Sequence, residues 1–207
     1  MKNKKLRFLI AAGPTREPLD PVRYLSNYST GTMGRYLAEA ARKKGHAVDW
    51  VRCPEDAETA RDLEKILKTR VPRSDVFIMA AAVCDVRPAE VSKGKIKKDC
   101  LTALKFRKNP DILAALGRRK KKNQVFVGFA LESAAVTANA EKKLIQKHLD
   151  LILAQRVGRR IKPFGEGIVH GFAIDREGVL KRFGGAGKRA VAGYLVRQAG
   201  KILSRQN

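Results

Sequence analysis

The chain has 207 residues, 44% of them hydrophobic and 31% charged. That balance suits a folded globular domain with a sizeable core and excludes a disordered chain. The 44 Lys and Arg against 20 Asp and Glu leave a net charge of +24, which favours anionic partners such as nucleotides, phosphorylated metabolites or nucleic acid.

An apolar run over residues 6–12 predicts a first strand that stops at Gly13. Residues 13–31 follow, with Pro14, Pro18 and Pro21, too rich in proline for a helix and long enough to be a functional loop. They end in Ser29-Thr30-Gly31, at the start of a helical pattern over 32–44 that has Met33, Tyr36, Leu37, Ala40 and Ala41 on one face and Gly45 as its stop. A strand, a loop and a helix start in that order aim backbone N–H groups and the positive end of the helix dipole at one spot, which suits phosphate. The same Ser and Thr equally make an ordinary N-cap.

A second strand is expected at 47–53 and a second helix at 58–68. Residues 75–83, nearly all apolar, suit a strand buried on both faces of a parallel sheet. A polar segment over 84–109 interrupts the alternation. It resumes with a helix at 110–116, a strand at 125–130, a helix at 136–148 and a strand at 149–154. Residues 168–174 and 179–183 flank Asp175-Arg176-Glu177-Gly178, which reads as a hairpin turn. A last helix over 188–203 carries Val191, Leu195, Ala199 and Ile202 on one stripe.

The alternation predicts an α/β fold: a doubly wound, mostly parallel sheet in a Rossmann-like three-layer αβα arrangement, with a C-terminal antiparallel hairpin, as one domain over 1–207. Ligands in such sheets bind outside the carboxyl ends of the strands, so residues 13–31, 81–98 and those after Phe129 are expected around one cleft. No run of 18 apolar residues predicts a membrane span. The basic start at Met1 leads into a strand-like run without a signal-peptide cleavage pattern. Cys53, Cys84 and Cys100 have no metal-like spacing, and His46, His148 and His170 are scattered; a reduced, cytoplasmic protein is expected. Basic runs at 93–98, 118–122 and 156–162 read as solvated surface, which speeds encounter with anions without selecting one.

Five blocks of the sequence carry a resemblance. They are residues 12–24 (Ala12-Gly13-Pro14-Thr15-Arg16-Glu17-Pro18-Leu19-Asp20 and on to Tyr24), Ser26-Asn27 with Ser29-Thr30-Gly31, Ala81-Ala82-Val83-Cys84-Asp85-Val86-Arg87-Pro88, Lys95-Ile96-Lys97-Lys98, and Lys108-Asn109-Pro110-Asp111-Ile112. A sixth, from Val127 to Glu132, agrees less fully. In order and spacing the chain resembles the phosphopantothenoylcysteine synthetases (phosphopantothenate–cysteine ligases) of coenzyme A biosynthesis. It is too short to include the flavin-dependent decarboxylase domain that many bacterial members carry in front, so the stand-alone form is expected. The family activates the carboxylate of 4′-phosphopantothenate with a nucleoside triphosphate, releasing pyrophosphate, and the amino group of L-cysteine then attacks the acyl nucleotide. CTP is the implied nucleotide, with ATP as the alternative, accompanied by Mg2+, in a homodimer.

The resemblance also implies roles. Asn27 supports conversion of the acyl nucleotide, where its own geometry allows a turn asparagine with positive φ. Arg23 reaches phosphopantothenate in the neighbouring subunit, where a loop salt bridge is the plain alternative. Ala81, Ala82 and Asp85 contact phosphopantothenate, Asp85 the nucleotide as well; tight packing and a turn cap are the alternatives. Lys95 stabilises phosphate charge from a mobile flap at 86–108. Gly13, Ser29, Thr30 and Gly31 bind the nucleotide, together with Asn109, Pro110, Asp111 and Ile112 at a strand-to-helix junction with Pro110 at N1, Phe129, and Lys143 with Lys147 on one helix face. Cys84 is read as small filler, because the reacting cysteine is a free substrate.

The chain departs from the family in having Thr32 where a lysine is frequent, Gln155-Arg156 where Asn-Asp follows the last parallel strand, and Leu131-Glu132-Ser133 for Ala-Glu-Thr. An NAD(P)-dependent oxidoreductase would need a Gly-x-Gly-x-x-Gly turn, but Gly13 is followed by Pro14. A nucleic-acid-binding protein would interleave aromatics with its basic runs, which this chain does not; non-specific association with nucleic acid remains compatible with its charge.

Overall fold

The computed structural model describes residues 4–158 and 163–206. Part of the basic run at 156–162 therefore lies outside the described residues. The central sheet of the described residues contains β1 (Arg7–Pro14), β4 (Ala47–Arg52), β5 (Val76–Ala82), β8 (Val125–Glu132), β9 (Leu151–Arg156), β10 (Ile168–Asp175) and β11 (Gly178–Gly187), in the order β11-β10-β9-β8-β5-β1-β4. The pairs β1–β4, β1–β5, β5–β8 and β8–β9 are parallel, and β9–β10–β11 is antiparallel. This is the doubly wound sheet with a hairpin extension that the alternation predicts.

Alternate residues of the inner strands feed two cores. On one face Leu9, Phe77, Phe126 and Ile152 pack with α2 (Ala60–Arg70), α3 (Ile112–Gly117) and α4 (Val136–Gln146). On the other, Phe8, Ile10, Ile78, Val127 and Leu153 pack with α1 (Thr32–Lys43) and α5 (Lys188–Gln206). The stripe expected on the last helix is present: Val191, Leu195 and Ala199 are fully buried and Ile202 packs at the margin. Gly45 adopts φ +80° just past α1, where its N–H and that of His46 close the helix end on Arg42 and Ala41.

Three expectations are corrected. β1 does not stop at Gly13 but runs through it, pairing Gly13 with Ala81 and Pro14 with Ala82. The loop over 13–31 is not irregular throughout: β2 (Arg16–Pro18) and β3 (Tyr24–Ser26) form a small antiparallel ribbon. A second ribbon, β6 (Val86–Pro88) with β7 (Phe106–Lys108), closes the base of the polar segment. Three-residue strands carry too little alternation to show in a sequence pattern.

The basic run at 118–122 is not wholly solvated. Lys120 Nζ reaches Asp150 Oδ1 at 2.6 Å, with side chains 11% and 3% exposed, and Lys121 donates to the Pro72 carbonyl.

Candidate active site

The carboxyl ends of β5, β8 and β9 open into two adjoining cavities, one on each face of the sheet. The larger, about 480 Å³, lies on the α1 and α5 side and is lined by Asn27, residues 29–34, 80–83 and Asp85, Phe129, Leu131, Gln155, Pro163, Phe164 and Lys188. The smaller, about 240 Å³, lies on the α3 and α4 side, lined by Met79, Asn109, Pro110, Asp111, Ile112, Leu113 and Lys147 among others. Ala81, Val83, Asp85 and Phe129 line both. Small side chains at the end of β5 are what leave this shared wall open.

At the larger cleft the helix start is free of side-chain capping. Gly31 is the N-cap residue of α1 with φ +71°, and no side chain caps it. Ser29 and Thr30 are therefore not the ordinary N-cap. Thr30 Oγ1 instead lies 2.9 Å from Thr32 Oγ1 and accepts from Gly165 N–H at 3.2 Å. The uncapped N–H groups of the first turn face a cavity, the arrangement an anion needs.

Gly13 does not line either cavity. A Cβ there would come within 2.0 Å of the Cys53 carbonyl oxygen, and a Cβ on Gly31 would lie 3.5 Å from the Gly13 Cα. Gly13 thus lets the β1 turn, the end of β4 and the start of α1 meet backbone to backbone. Gly34 does the same one turn into α1, where a Cβ would meet that of Ala12 at 2.0 Å.

Asn27 is exposed at the mouth of the larger cleft, its Nδ2 donating to the Ala82 carbonyl at 3.1 Å. It is not a positive-φ turn residue; among the described non-glycine residues only Ala135 and His148 have positive φ. Cys84 beneath it is buried, its Sγ 3.6 Å from the Thr15 carbonyl, and burial pushes its thiol pKa up, which keeps it protonated and unreactive. Asp85 is exposed, and its carboxylate makes no hydrogen bond among the described residues, so it is not a turn cap.

Other expectations shift. Arg23 forms the loop salt bridge: its guanidinium pairs with Asp20 Oδ2 and donates to the Ile96 carbonyl at 2.7 Å. Asp20, 4% exposed, also accepts N–H bonds from Val22, Arg23 and Ile96. The Arg23 guanidinium and these donors hold its carboxyl well below the usual carboxylate range. Lys95 is exposed on the polar segment, outside both cavities. Pro110 is not at N1: Asp111 is the N-cap of α3, accepting from Ala114 N–H at 3.0 Å, and Ile112 is the first helical residue. Asn109 spends its amide within the protein, donating to the Cys84 carbonyl and accepting from Arg87. Lys143 and Lys147 do not act as one face. Lys143 pairs with Glu132 at 2.6 Å away from both cavities, while Lys147, just past α4, lines the smaller one and pairs with Asp111 at 3.1 Å.

The sequence reading also missed cleft residues. Lys188 reads as a helix start, yet its side chain lines the larger cleft. Gln155, noted only as a departure, is 6% exposed on its wall, and its Oε1 has no hydrogen-bond partner among the described residues. No group of three or more His, Cys, Asp or Glu among the described residues is placed to hold a metal. A magnesium ion arriving on a nucleotide would be held chiefly by phosphate oxygens, with Asp85 the carboxylate exposed at both cavities.

The chain belongs to the family of DNA/pantothenate metabolism flavoprotein C-terminal domains, whose model matches residues 3–202. The coenzyme A biosynthesis bifunctional protein CoaBC of Escherichia coli is 41% identical over 195 residues, 86% of this chain and 48% of that protein. The chain thus spans about half the length of the curated relatives it matches. Among solved structures, the C-terminal domain of a CoaBC protein is similar with a TM-score of 0.78 at 28% identity, covering 97% of this chain and 96% of that one. A Cab2 mutant in complex with phosphopantothenate-cysteine shares the fold, with a TM-score of 0.71 at 16% identity over 99% of this chain and 89% of that one. Among the described residues no helix is long and apolar enough to cross a membrane.

Proposed function

We propose that this chain is a phosphopantothenate–cysteine ligase acting through an acyl-nucleotide intermediate, with CTP as the nucleotide and ATP as the alternative. One observation carries the reading: two cavities of unequal size open on opposite faces of the sheet and share the wall formed by Ala81, Val83, Asp85 and Phe129, with Asn27 at the mouth of the larger. Two anionic substrates need separate seats and a common junction where carboxylate and α-phosphate meet.

In this reading the nucleoside sits in the smaller cavity against Ile112 and Phe129, with Asp111 and Lys147 at its edge. The phosphate chain crosses the shared wall towards Ser29, Thr30 and Gly31. Phosphopantothenate fills the rest of the larger cleft, its carboxylate near Ala82 and Asn27. A carboxylate oxygen attacks the α-phosphorus and pyrophosphate leaves; the cysteine amine then attacks the acyl carbon and the nucleoside monophosphate leaves. Asn27 donates to the acyl oxygen without competing as a nucleophile. Lys95 swings in with the segment 86–108 to neutralise charge and keep water from the mixed anhydride. The chain works as a homodimer in the cytoplasm, with magnesium on the nucleotide.

The test is direct: with phosphopantothenate, L-cysteine, magnesium and CTP or ATP, pyrophosphate and phosphopantothenoylcysteine form in equal amounts. No product with either nucleotide overturns the assignment.

A further inference from the structure

Lys188 opens α5, yet it is only 5% exposed and is the one cationic side chain lining the larger cleft among the described residues. Its Nζ donates to the carbonyls of Pro163 at 2.6 Å and Gly165 at 2.5 Å. An ammonium has three donors, so one remains for a ligand. No carboxylate pairs with it among the described residues; Glu166 nearby is engaged by Arg35 at 2.7 Å and by the Tyr36 hydroxyl at 2.5 Å. A buried charge without a paired carboxylate is costly; burial lowers the Lys188 pKa, and the nearby charge of Glu166 offsets only part of that.

Gly165 joins this ammonium to the helix start. Its carbonyl accepts from Lys188 while its N–H donates to Thr30 Oγ1, which in turn lies 2.9 Å from Thr32 Oγ1. A buried cation, two hydroxyls and the uncapped first turn of α1 therefore gather around one glycine.

We infer that Lys188 is a substrate-binding residue whose ammonium neutralises a phosphoryl group seated against Thr30 and Thr32. It supplies from α5 a positive charge at the start of α1, where Thr32 is uncharged and the guanidinium of Arg35 is engaged by Glu39 and Glu166. That the anion belongs to a ligase substrate rests on the function proposed above; the anion site itself does not.

Inorganic pyrophosphate is the probe, read by calorimetry without turnover, so failure of the ligase assay leaves this result standing. The wild-type chain binds pyrophosphate and Lys188→Met binds it about tenfold or more weakly. Adding Thr32→Lys to Lys188→Met restores most of the affinity, because it returns a cation to the same cleft while leaving the tie to Pro163 and Gly165 broken. Wild-type affinity in Lys188→Met, or no rescue in the double variant, overturns the proposal and leaves Lys188 as a strut for the 163–165 loop. In the unaltered chain the Lys188 ammonium resonance shifts when pyrophosphate is added. This NMR measurement keeps the proposal testable if Lys188→Met does not fold, and an unmoved resonance sinks it.

Discussion

Two polar segments cross the carboxyl end of the sheet, residues 13–31 and 84–109, and they are built in opposite ways. The first buries three polar side chains. Thr15, Glu17 and Asp20 are 0%, 2% and 4% exposed, and each has partners: Thr15 Oγ1 accepts from Cys84 N–H, Glu17 from Ala60 N–H, and Asp20 from Arg23 and three backbone N–H groups. The second is pinned at its base by the β6–β7 ribbon and then leaves Val91, Lys93, Lys95 and Leu104 in solvent. Its middle touches the first segment, through Ser92 N–H to the Leu19 carbonyl at 3.0 Å, and through Ile96 to Asp20 and Arg23. Similar composition thus yields a buried, hydrogen-bonded wall in one place and a solvent-exposed excursion in the other, the segment that the proposed function uses as a cover. Burial of satisfied polar groups makes the difference.

The comparison predicts that changes in the fixed segment cost stability, whereas changes in the cover cost turnover alone. The largest effect is expected for Gly13→Ala, where a Cβ meets the Cys53 carbonyl at 2.0 Å on a backbone with φ +94°. Urea unfolding should register a loss of about 3 kcal/mol or more; a near-neutral result would mean that the meeting of β1, β4 and α1 is not tight. Next comes Lys95→Ala, which should lower kcat about a hundredfold with an unchanged melting temperature. A melting temperature that falls in step with kcat would make the cover part of the core.

Asp20→Asn sits between the two classes, since Asp20 holds both Arg23 and Ile96. Turnover should drop about tenfold, with faster amide exchange confined to the neighbourhood of Ile96. Exchange that accelerates throughout the sheet would contradict this local role. The pH response has a definite sign. Because the Asp20 carboxyl is held below its ordinary value of about 3.9, its stabilising contribution is complete above that value. It is lost only as pH falls further. The stability gap between wild type and Asp20→Asn should therefore be flat from about pH 8 to about pH 5; a gap already gone at pH 6 would assign it to another group. Smallest of all, Lys143→Ala, which breaks only the half-exposed pair with Glu132, should change KM for the nucleotide less than about twofold.

The alternation of strands and helices was legible because each long element carries its own period. Gly45 and the Asp175–Gly178 turn were legible from local chemistry alone. Much of what could not be read depends on partners distant in sequence. β1 continues past Gly13 because Ala81 and Ala82 pair with its end. Asp111 displaces Pro110 from N1 through its bond to Ala114, which reads from sequence as easily either way. Lys143 pairs with Glu132, which its sequence position does not show, and Arg23 pairs with Asp20, the loop salt bridge that its sequence position also allows. Lys188 was hidden for the opposite reason: a lysine at a helix start reads as surface, and only the loop from Pro163 to Gly165 turns it inward. Of the site, Asn27, Ser29, Thr30, Gly31, Ala81, Ala82, Asp85 and Phe129 do line the larger cleft together.

The proposed reaction requires an acyl nucleotide formed at the wall shared by the two cavities. Incubating the chain with phosphopantothenate, magnesium and CTP or ATP while omitting cysteine, then analysing the acid-quenched mixture by mass spectrometry, tests this most directly. A phosphopantothenoyl nucleotide, with pyrophosphate, is expected in amounts close to the enzyme present, and it should disappear when cysteine is added. Pyrophosphate without that intermediate, or neither species with either nucleotide, would contradict it.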